Sequence, residues 1–128
     1  MNAHGVPAAD FDEFVGQLDL IVQERGGLWE PLSLSTVVLP GRTETHGPWP
    51  FEACAAVFTE WLKAELIGIY RLESMGAEPV DLTTDEAHAV LADRSSWRPA
   101  AGLYLFPTAK GEAAHLEEWR AVVRDEHA

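Results

Sequence analysis

The chain has 128 residues, 47% of them hydrophobic, and its 21 acidic against 9 basic residues give a formal net charge of −12. This length suits one domain, which we expect over residues 10–128 after a flexible tail of residues 1–9, and no apolar run reaches the roughly 20 residues that a membrane helix needs. The scarcity of lysine and arginine disfavours nucleic-acid binding, because such binding depends on neutralised phosphates.

The acidity has two explanations, and the sequence leaves both open. A net negative charge keeps a protein soluble, and it also steers basic partners towards a surface. The second explanation includes a surface that imitates nucleic acid. The N-terminus lacks the basic and apolar segments of a signal peptide, and the single cysteine, Cys54, excludes an internal disulfide. We therefore expect a cytoplasmic location.

The first predicted helix begins at Asp10, which has Glu13 three residues later in the spacing of a capping box. It is expected to run to about Arg25. Its apolar residues recur at three- and four-residue steps, which places them on one face: Phe11, Phe14, Val15, Leu18, Ile21 and Val22. We expect either Gly26 or Gly27 to adopt the left-handed conformation that commonly ends a helix.

The stretch 28–39 alternates at first and then becomes β-branched. This pattern predicts a strand, with a short helix starting at one of its serines as the alternative. Pro40 and Gly41 predict a turn, and residues 41–50 are expected to form a loop. Trp49 lies between two prolines, where it either covers an edge of the core or is an exposed contact.

The most regular stretch is 51–72, which predicts a buried helix followed by a strand from residue 67. Pro50 suits the start of a helix, because its missing N–H would have no partner in the first turn. The inner face of this helix is defined by three- and four-residue steps: Ala55, Phe58, Trp61, Leu62 and Leu66. Cys54 lies in the same apolar helix, so we expect a small core residue rather than a nucleophile.

The second half of the chain adds two helices and one strand. Thr83 and Glu86 have the spacing of a capping box and predict a helix that begins between them. Residues 103–106 are apolar and aromatic, as is typical of a strand. Thr108 is then expected to cap a last helix that runs towards Arg124.

Two of these stretches resemble winged-helix regulators of the PadR-like and MarR-like kinds. Residues 61–72 resemble the junction at which a recognition helix enters the first wing strand. Residues 104–119 resemble the second wing strand and the helix after it, and residues 106–111 resemble the LTxxG motif that joins them. The resemblance implies a small α+β, winged-helix-like domain, DNA binding, and a C-terminal helix that pairs with its twin.

The chain departs from those families in two respects. An extra helix, predicted over 84–93, is inserted between the two wing strands, where the families have a short basic loop. The helix that would contact DNA carries Glu52, Glu60 and Glu65 against one Lys63. These carboxylates would repel phosphates, so nucleic acid is an unfavoured partner.

No motif in the sequence predicts catalysis, a metal site or a cofactor. The five histidines show no close ligand spacing, and Cys54 has no second cysteine. No serine lies in a G-x-S-x-G context, and no glycine-rich phosphate loop occurs. Asp85, Glu86 and His88 either form an acid–base group or, as we expect, belong to a capped and exposed helix start.

Two sets of residues are candidate contact sites. Arg94, Trp97 and Arg98 either contact a partner or pack locally, with the tryptophan on the core and the arginines paired with nearby carboxylates. The stripe formed by Leu116, Trp119 and Val123 either makes a homodimer contact or packs back on the first helix.

These observations predict a non-enzymatic, acidic protein-binding or regulatory module. An inhibitor or immunity-type partner of a basic protein is one form of it. The alternative is a winged-helix transcriptional regulator that binds DNA as a dimer, and an enzyme without a readable motif comes third.

Overall fold

The computed structural model of the protein describes residues 5–33 and 35–126. Within these ranges the chain combines helices with antiparallel strands, which confirms the α+β class. The helices are α1 (Phe11–Gln23), α2 (Phe51–Lys63), α3 (Thr84–Ala92), α4 (Ala109–Ala113) and α5 (Leu116–Glu126). The strands are β1 (Ser35–Leu39), β2 (Arg42–His46), β3 (Ile67–Arg71), β4 (Val80–Asp81) and β5 (Leu103–Pro107). Short 3₁₀ turns occupy Ala8–Asp10, Glu30–Leu32, Arg94–Ser96 and Pro99–Ala101.

Strands β4, β3 and β5 form one antiparallel sheet in that order. The segment after α1 extends it on the β5 side, where the Leu105 N–H donates to the Gly26 carbonyl at 2.9 Å. Alternate strand residues point to opposite faces. The inner face carries four buried side chains: Ile67, Ile69, Leu103 and Leu105. Helices α1, α2 and α5 pack together on the same side as this face, and α3 packs beside α2.

The centre of the core is a pair of tryptophans. The rings of Trp61 on α2 and Trp119 on α5 lie 4.9 Å apart in an edge-to-face arrangement, and both are almost completely buried. The Trp61 Nε1–H donates to the Trp119 carbonyl at 2.9 Å. The predicted core residues of α2 and the strand junction are confirmed as buried: Phe58, Trp61, Leu62 and Leu66.

The end of α2 is closed by the start of α4. The Thr108 N–H donates to the Leu66 carbonyl at 3.0 Å, and its hydroxyl donates to the Glu65 carbonyl at 2.5 Å. The Lys110 ammonium donates to the Ala64 carbonyl at 2.8 Å. These carbonyls belong to the C-cap residue of α2 and to the two residues after it, so the three bonds satisfy groups that would otherwise need water.

The prediction of one continuous C-terminal helix is wrong. Ala114 is extended, with φ −83° and ψ 143°, and separates α4 from α5. Gly111 packs so closely on the Leu66 carbonyl that a Cβ there would collide with it. Since α4 is held at the end of α2, the chain must change direction before Trp119 can reach Trp61.

The prediction that a glycine ends α1 in the left-handed conformation is wrong. The left-handed residue is Arg25, with φ 56°, rather than Gly26 or Gly27. The Arg25 N–H donates to the Val22 carbonyl and the Gly26 N–H to the Ile21 carbonyl, which is the bonding of a Schellman motif. The two glycines are required for space instead, because a Cβ on Gly26 would meet Ile21 and one on Gly27 would meet the Trp29 ring.

The start of α1 also differs from the prediction. Asp10 makes no side-chain capping bond, because it belongs to a 3₁₀ turn and has a near-helical backbone instead of the extended one that an N-cap uses. Within the predicted tail, Val6 is 1% exposed, and its side chain belongs to the hydrophobic core. Residues 1–4 lie outside the described residues.

The stretch 28–46 contains a hairpin that was only half predicted. Its first strand is confined to Ser35–Leu39, and the predicted loop contains the second strand, Arg42–His46. Pro40 and Gly41 form the predicted turn, with Gly41 at φ 80°. The second strand has no apolar alternation because its side chains are mostly exposed. Backbone pairing and the turn hold it to β1, and His46 Nδ1 at its end lies 2.8 Å from Glu13 Oε1 on α1.

Two further local predictions are settled by contacts. Trp49 is half-buried and its ring lies 5.1 Å from that of Phe14, so it covers the edge of the core. The capping box of α3 is confirmed: the Glu86 N–H donates to Thr83 Oγ1 at 3.2 Å, and the Thr83 N–H donates to Glu86 Oε1 at 2.9 Å. The bond from the Thr83 backbone lowers the pKa of the Glu86 carboxyl.

Candidate binding site on the outer face of the sheet

The candidate contact site formed by Arg94, Trp97 and Arg98, a basic and aromatic cluster, has one buried member and two exposed ones. Trp97 is only 4% exposed, and its Nε1–H donates to the Val90 carbonyl at 3.0 Å. Arg94 and Arg98 are exposed, and the Arg94 guanidinium lies 5.5 Å from the centre of the Phe51 ring. Trp97 therefore packs on the core, and a partner at this place would meet the two arginines.

Asp93, the carboxylate next to this cluster, is engaged locally. It accepts bonds from the Ser95 N–H at 3.0 Å and from the Ser95 hydroxyl at 2.6 Å. The Ser95 side chain lowers the pKa of the Asp93 carboxyl most, and Arg98 contributes to the same direction. The role of the cluster in binding stays a prediction.

The C-terminal stripe is covered largely by the chain itself. Trp119 is 1% and Val123 0% exposed, because α5 packs on α1 and α2. Leu116 is 36% exposed and is the member with surface left for another chain. Packing back on the first helix was the competing explanation of this stripe. The homodimer stays a prediction, and a contact through Trp119 would require α5 to leave the core.

The residues considered for catalysis do not form a reaction centre. Cys54 is fully buried, and burial raises the pKa of its thiol to about 12. Glu86 is occupied by its cap, as described above, which fits the interpretation of a capped helix start. Among the residues that the structure describes, no three histidine, cysteine or acidic side chains converge as metal ligands. Within the same part of the chain, none of the helices combines the length and apolarity needed to cross a membrane.

The outer face of the sheet carries an unusual group of side chains. We call four half-buried aromatic residues on it the aromatic face: Trp29, Tyr70, Tyr104 and Phe106. The rings of Tyr70 and Tyr104 are stacked at 5.4 Å with 17° between their planes, and Trp29 meets Tyr104 edge-on at 5.4 Å. Phe106 lies 6.0 Å from Tyr70. Tyrosine and tryptophan are the residues most enriched in interface hot spots.

Two glycines make room for two of these rings, those of Phe106 and Trp29. Gly68 lies opposite Phe106 in the β3–β5 register, and the Phe106 ring occupies the place of its missing side chain. Gly27 likewise lies under the Trp29 ring. Each of these two rings therefore packs directly on the backbone, a close approach that glycine allows.

A trough of about 460 Å³ follows the aromatic face on the β4 side. Tyr70, Phe106 and Leu72 form its apolar part, and Asp81 and Arg25 are its charged residues. A second trough of about 320 Å³ adjoins the first at Leu72 and extends to Tyr104. Both are open surface depressions suited to side chains of another molecule.

Three exposed carboxylates lie in or beside the two troughs. Asp81 is exposed and lies directly opposite Tyr70 in the β3–β4 register. Glu73 lines the second trough, and Glu78 is exposed one residue before Pro79 of the first. No ion pair or side-chain hydrogen bond involves these three carboxylates within the described ranges. They are therefore available to a cationic partner.

This site was not predicted from the sequence, although part of its signal was present. The alternation in residues 67–71 and 103–107 predicts two faces for each strand. It does not give the register that brings Tyr70 beside Tyr104 and Asp81. Comparisons with protein-family models, curated proteins and solved structures found no match for this chain.

Proposed function

We propose that the chain is a non-enzymatic, acidic protein-binding module of the inhibitor or regulatory kind, whose partner is a basic protein. The observation that carries the proposal is the aromatic face, a preformed tyrosine and tryptophan surface bordered by unpaired carboxylates. Interfaces concentrate their binding energy in such residues, and charge of opposite sign speeds encounter with the correct partner. The single, buried cysteine suits a reducing cytoplasm.

The finer description of the fold also belongs to this proposal. We interpret the domain as winged-helix-like, with β3 and β5 as the wing strands and α3 as the helix inserted between them. Three features support this: the antiparallel pairing of β3 with β5, the bridge between Gly27 and Tyr104 in the place of a third strand, and the cap that joins Thr108 to Gly111. This last bond gives the T-x-x-G spacing a physical reason, because the Thr108 hydroxyl accepts from the Gly111 N–H at 3.0 Å.

The DNA-binding alternative has less support from the geometry. A recognition helix needs a free basic face, whereas α2 lies between α3 and α5 and against β3. Its accessible charges include Glu52 and Glu60 beside Lys63, and Lys63 pairs with Glu60 at 3.5 Å. Fluorescence anisotropy with a labelled random duplex at physiological salt tests this alternative. We expect no binding at micromolar concentration, and tight binding would favour the regulator over the protein-binding module.

Site-directed photocrosslinking tests the proposed function itself. A photoreactive phenylalanine replaces Tyr104 on the aromatic face or Glu118, which is exposed on α5. We expect the producing cells to yield a basic protein crosslinked at position 104 and not at 118. The purified partner should then bind the unmodified chain, with an affinity that falls as salt is raised. Equal crosslinking at both positions, or a purified protein that fails to bind, would refute the proposal.

A further inference from the structure

We propose that the trough beside Tyr70 is a receptor for an arginine side chain, with the guanidinium stacked on the Tyr70 ring and paired with Asp81. This inference rests on the proposed function and adds the chemistry of the contact. The occupant is an arginine from an exposed segment of the basic partner.

The register of the sheet places an aromatic ring and a carboxylate side by side in the trough, in a space that we call the slot. Asp81, Tyr70 and Tyr104 form one row across three strands, so their side chains share the outer face. Tyr104 covers one face of the Tyr70 ring by stacking. The other face of the ring is therefore on the side of Asp81, where the trough opens. A ring and a carboxylate at paired positions of neighbouring strands are about one strand spacing apart, roughly 5 Å.

A guanidinium fits this slot better than an ammonium does. It is planar, so it can stack on a ring while its edge donates two parallel hydrogen bonds to a carboxylate. It is also more weakly hydrated than an ammonium and is more often found over aromatic rings. Leu72 and Pro79, which also line the trough, suit the methylene stem of a long side chain.

Asp81 is the carboxylate that lines the trough, and Arg25 is a cation that lines it. Two further cations are next to lining residues: Lys110 is held on the Ala64 carbonyl, and Arg71 alternates to the other face of the sheet from Tyr70. Glu73 and Glu78 add to the field of Asp81, within a chain of net charge −12. Arg25 lines the same trough, but it precedes Gly26, which pairs with β5, and so it lies across the sheet from β4. Its removal should leave the binding of a basic segment unchanged or stronger, because it would repel the occupant.

Peptide binding to the full chain tests the inference. The probes are a labelled peptide of alternating glycine and arginine and its lysine twin of equal length, both measured by fluorescence anisotropy at low salt. We expect the arginine peptide to bind at least about threefold more tightly. Asp81→Asn and Tyr70→Leu should each weaken its binding about fivefold, whereas Tyr70→Phe, which keeps the ring, should not.

Glu118→Gln removes one exposed carboxylate on α5 and controls for the loss of charge alone, with an expected change below about twofold. Circular dichroism checks that each variant is folded. Equal weakening by Asp81→Asn and Glu118→Gln, or equal binding of both peptides, would overturn the slot while leaving an acidic module that binds basic segments. A wild type that binds neither peptide would overturn the slot and count against the proposed function as well. Arg25→Ala that weakens binding would also overturn the assignment of the trough to a cation.

Discussion

Removing the indole of Trp119 tests whether α5 completes the core of a single chain. The Trp119→Ala variant loses a side chain that is 1% exposed and an edge-to-face contact with Trp61. Deleting a buried tryptophan costs about 3–5 kcal/mol, and the aromatic pair adds about 0.5–1.5 kcal/mol. The bond from Trp61 Nε1–H is kept, because its acceptor is the backbone carbonyl of residue 119. We therefore expect a loss of roughly 4–6 kcal/mol.

Urea unfolding followed by far-ultraviolet circular dichroism measures this loss. Total stabilities of about 5–15 kcal/mol are usual for a domain, so the variant should be close to unfolding in water. The matched control is Leu116→Ala on the same helix, which is 36% exposed and should cost less than about 1 kcal/mol. The same curves measured at two protein concentrations report on a dimer, because the stability of a dimer rises with concentration.

Equal, small losses from Trp119→Ala and Leu116→Ala would refute this account of the core. A wild-type midpoint that rises with protein concentration would instead favour the homodimer. A double-mutant cycle with Trp61→Phe separates the ring contact from the rest. We expect the two substitutions to be coupled, because the rings touch.

Three further predictions follow from local contacts. Thr83→Ala should destabilise α3 by about 1 kcal/mol, since the Glu86 N–H loses its acceptor, and faster amide exchange at Glu86 would show it. The Cys54 thiol, with its pKa raised to about 12, should resist a thiol reagent at neutral pH until the chain unfolds, and rapid labelling of folded protein would contradict its burial. Burial raises the pKa of the Asp19 carboxyl from its ordinary value of 3.8, so the folded state holds this proton more tightly than the unfolded state does. The contribution of this group to stability is therefore lost as pH rises through its pKa in the folded state. Asp19→Asn should therefore be at least as stable as wild type at neutral pH, and the difference should disappear near pH 3, where the wild-type carboxyl is mostly protonated. A urea midpoint of the variant that is lower than that of wild type at neutral pH, but equal to it near pH 3, would contradict this prediction.

The sequence determined the elements whose signals are local. The helix after Pro50 and its buried face follow from apolar spacing, and the cap at Thr83 follows from the reach of two side chains separated by one turn. The α+β class, the strands in 67–71 and 103–107, and the burial of Cys54 belong to the same group. In each case the determining groups lie within a few residues of one another.

Only the tertiary structure decided where distant segments meet. The break at Ala114 depends on Gly111 packing against Leu66, and the burial of Trp119 depends on Trp61, which is 58 residues away. Strand Arg42–His46 has exposed side chains, so no hydrophobic pattern marks it and its pairing comes from a turn and backbone bonds. The aromatic face has the same origin. Alternation could place Tyr70 and Tyr104 on one face of each strand, but only the register between strands brings them together with Asp81. Backbone hydrogen bonds can form in several registers, so the alignment is decided by how both strands pack on a core built from distant segments, which local alternation does not contain.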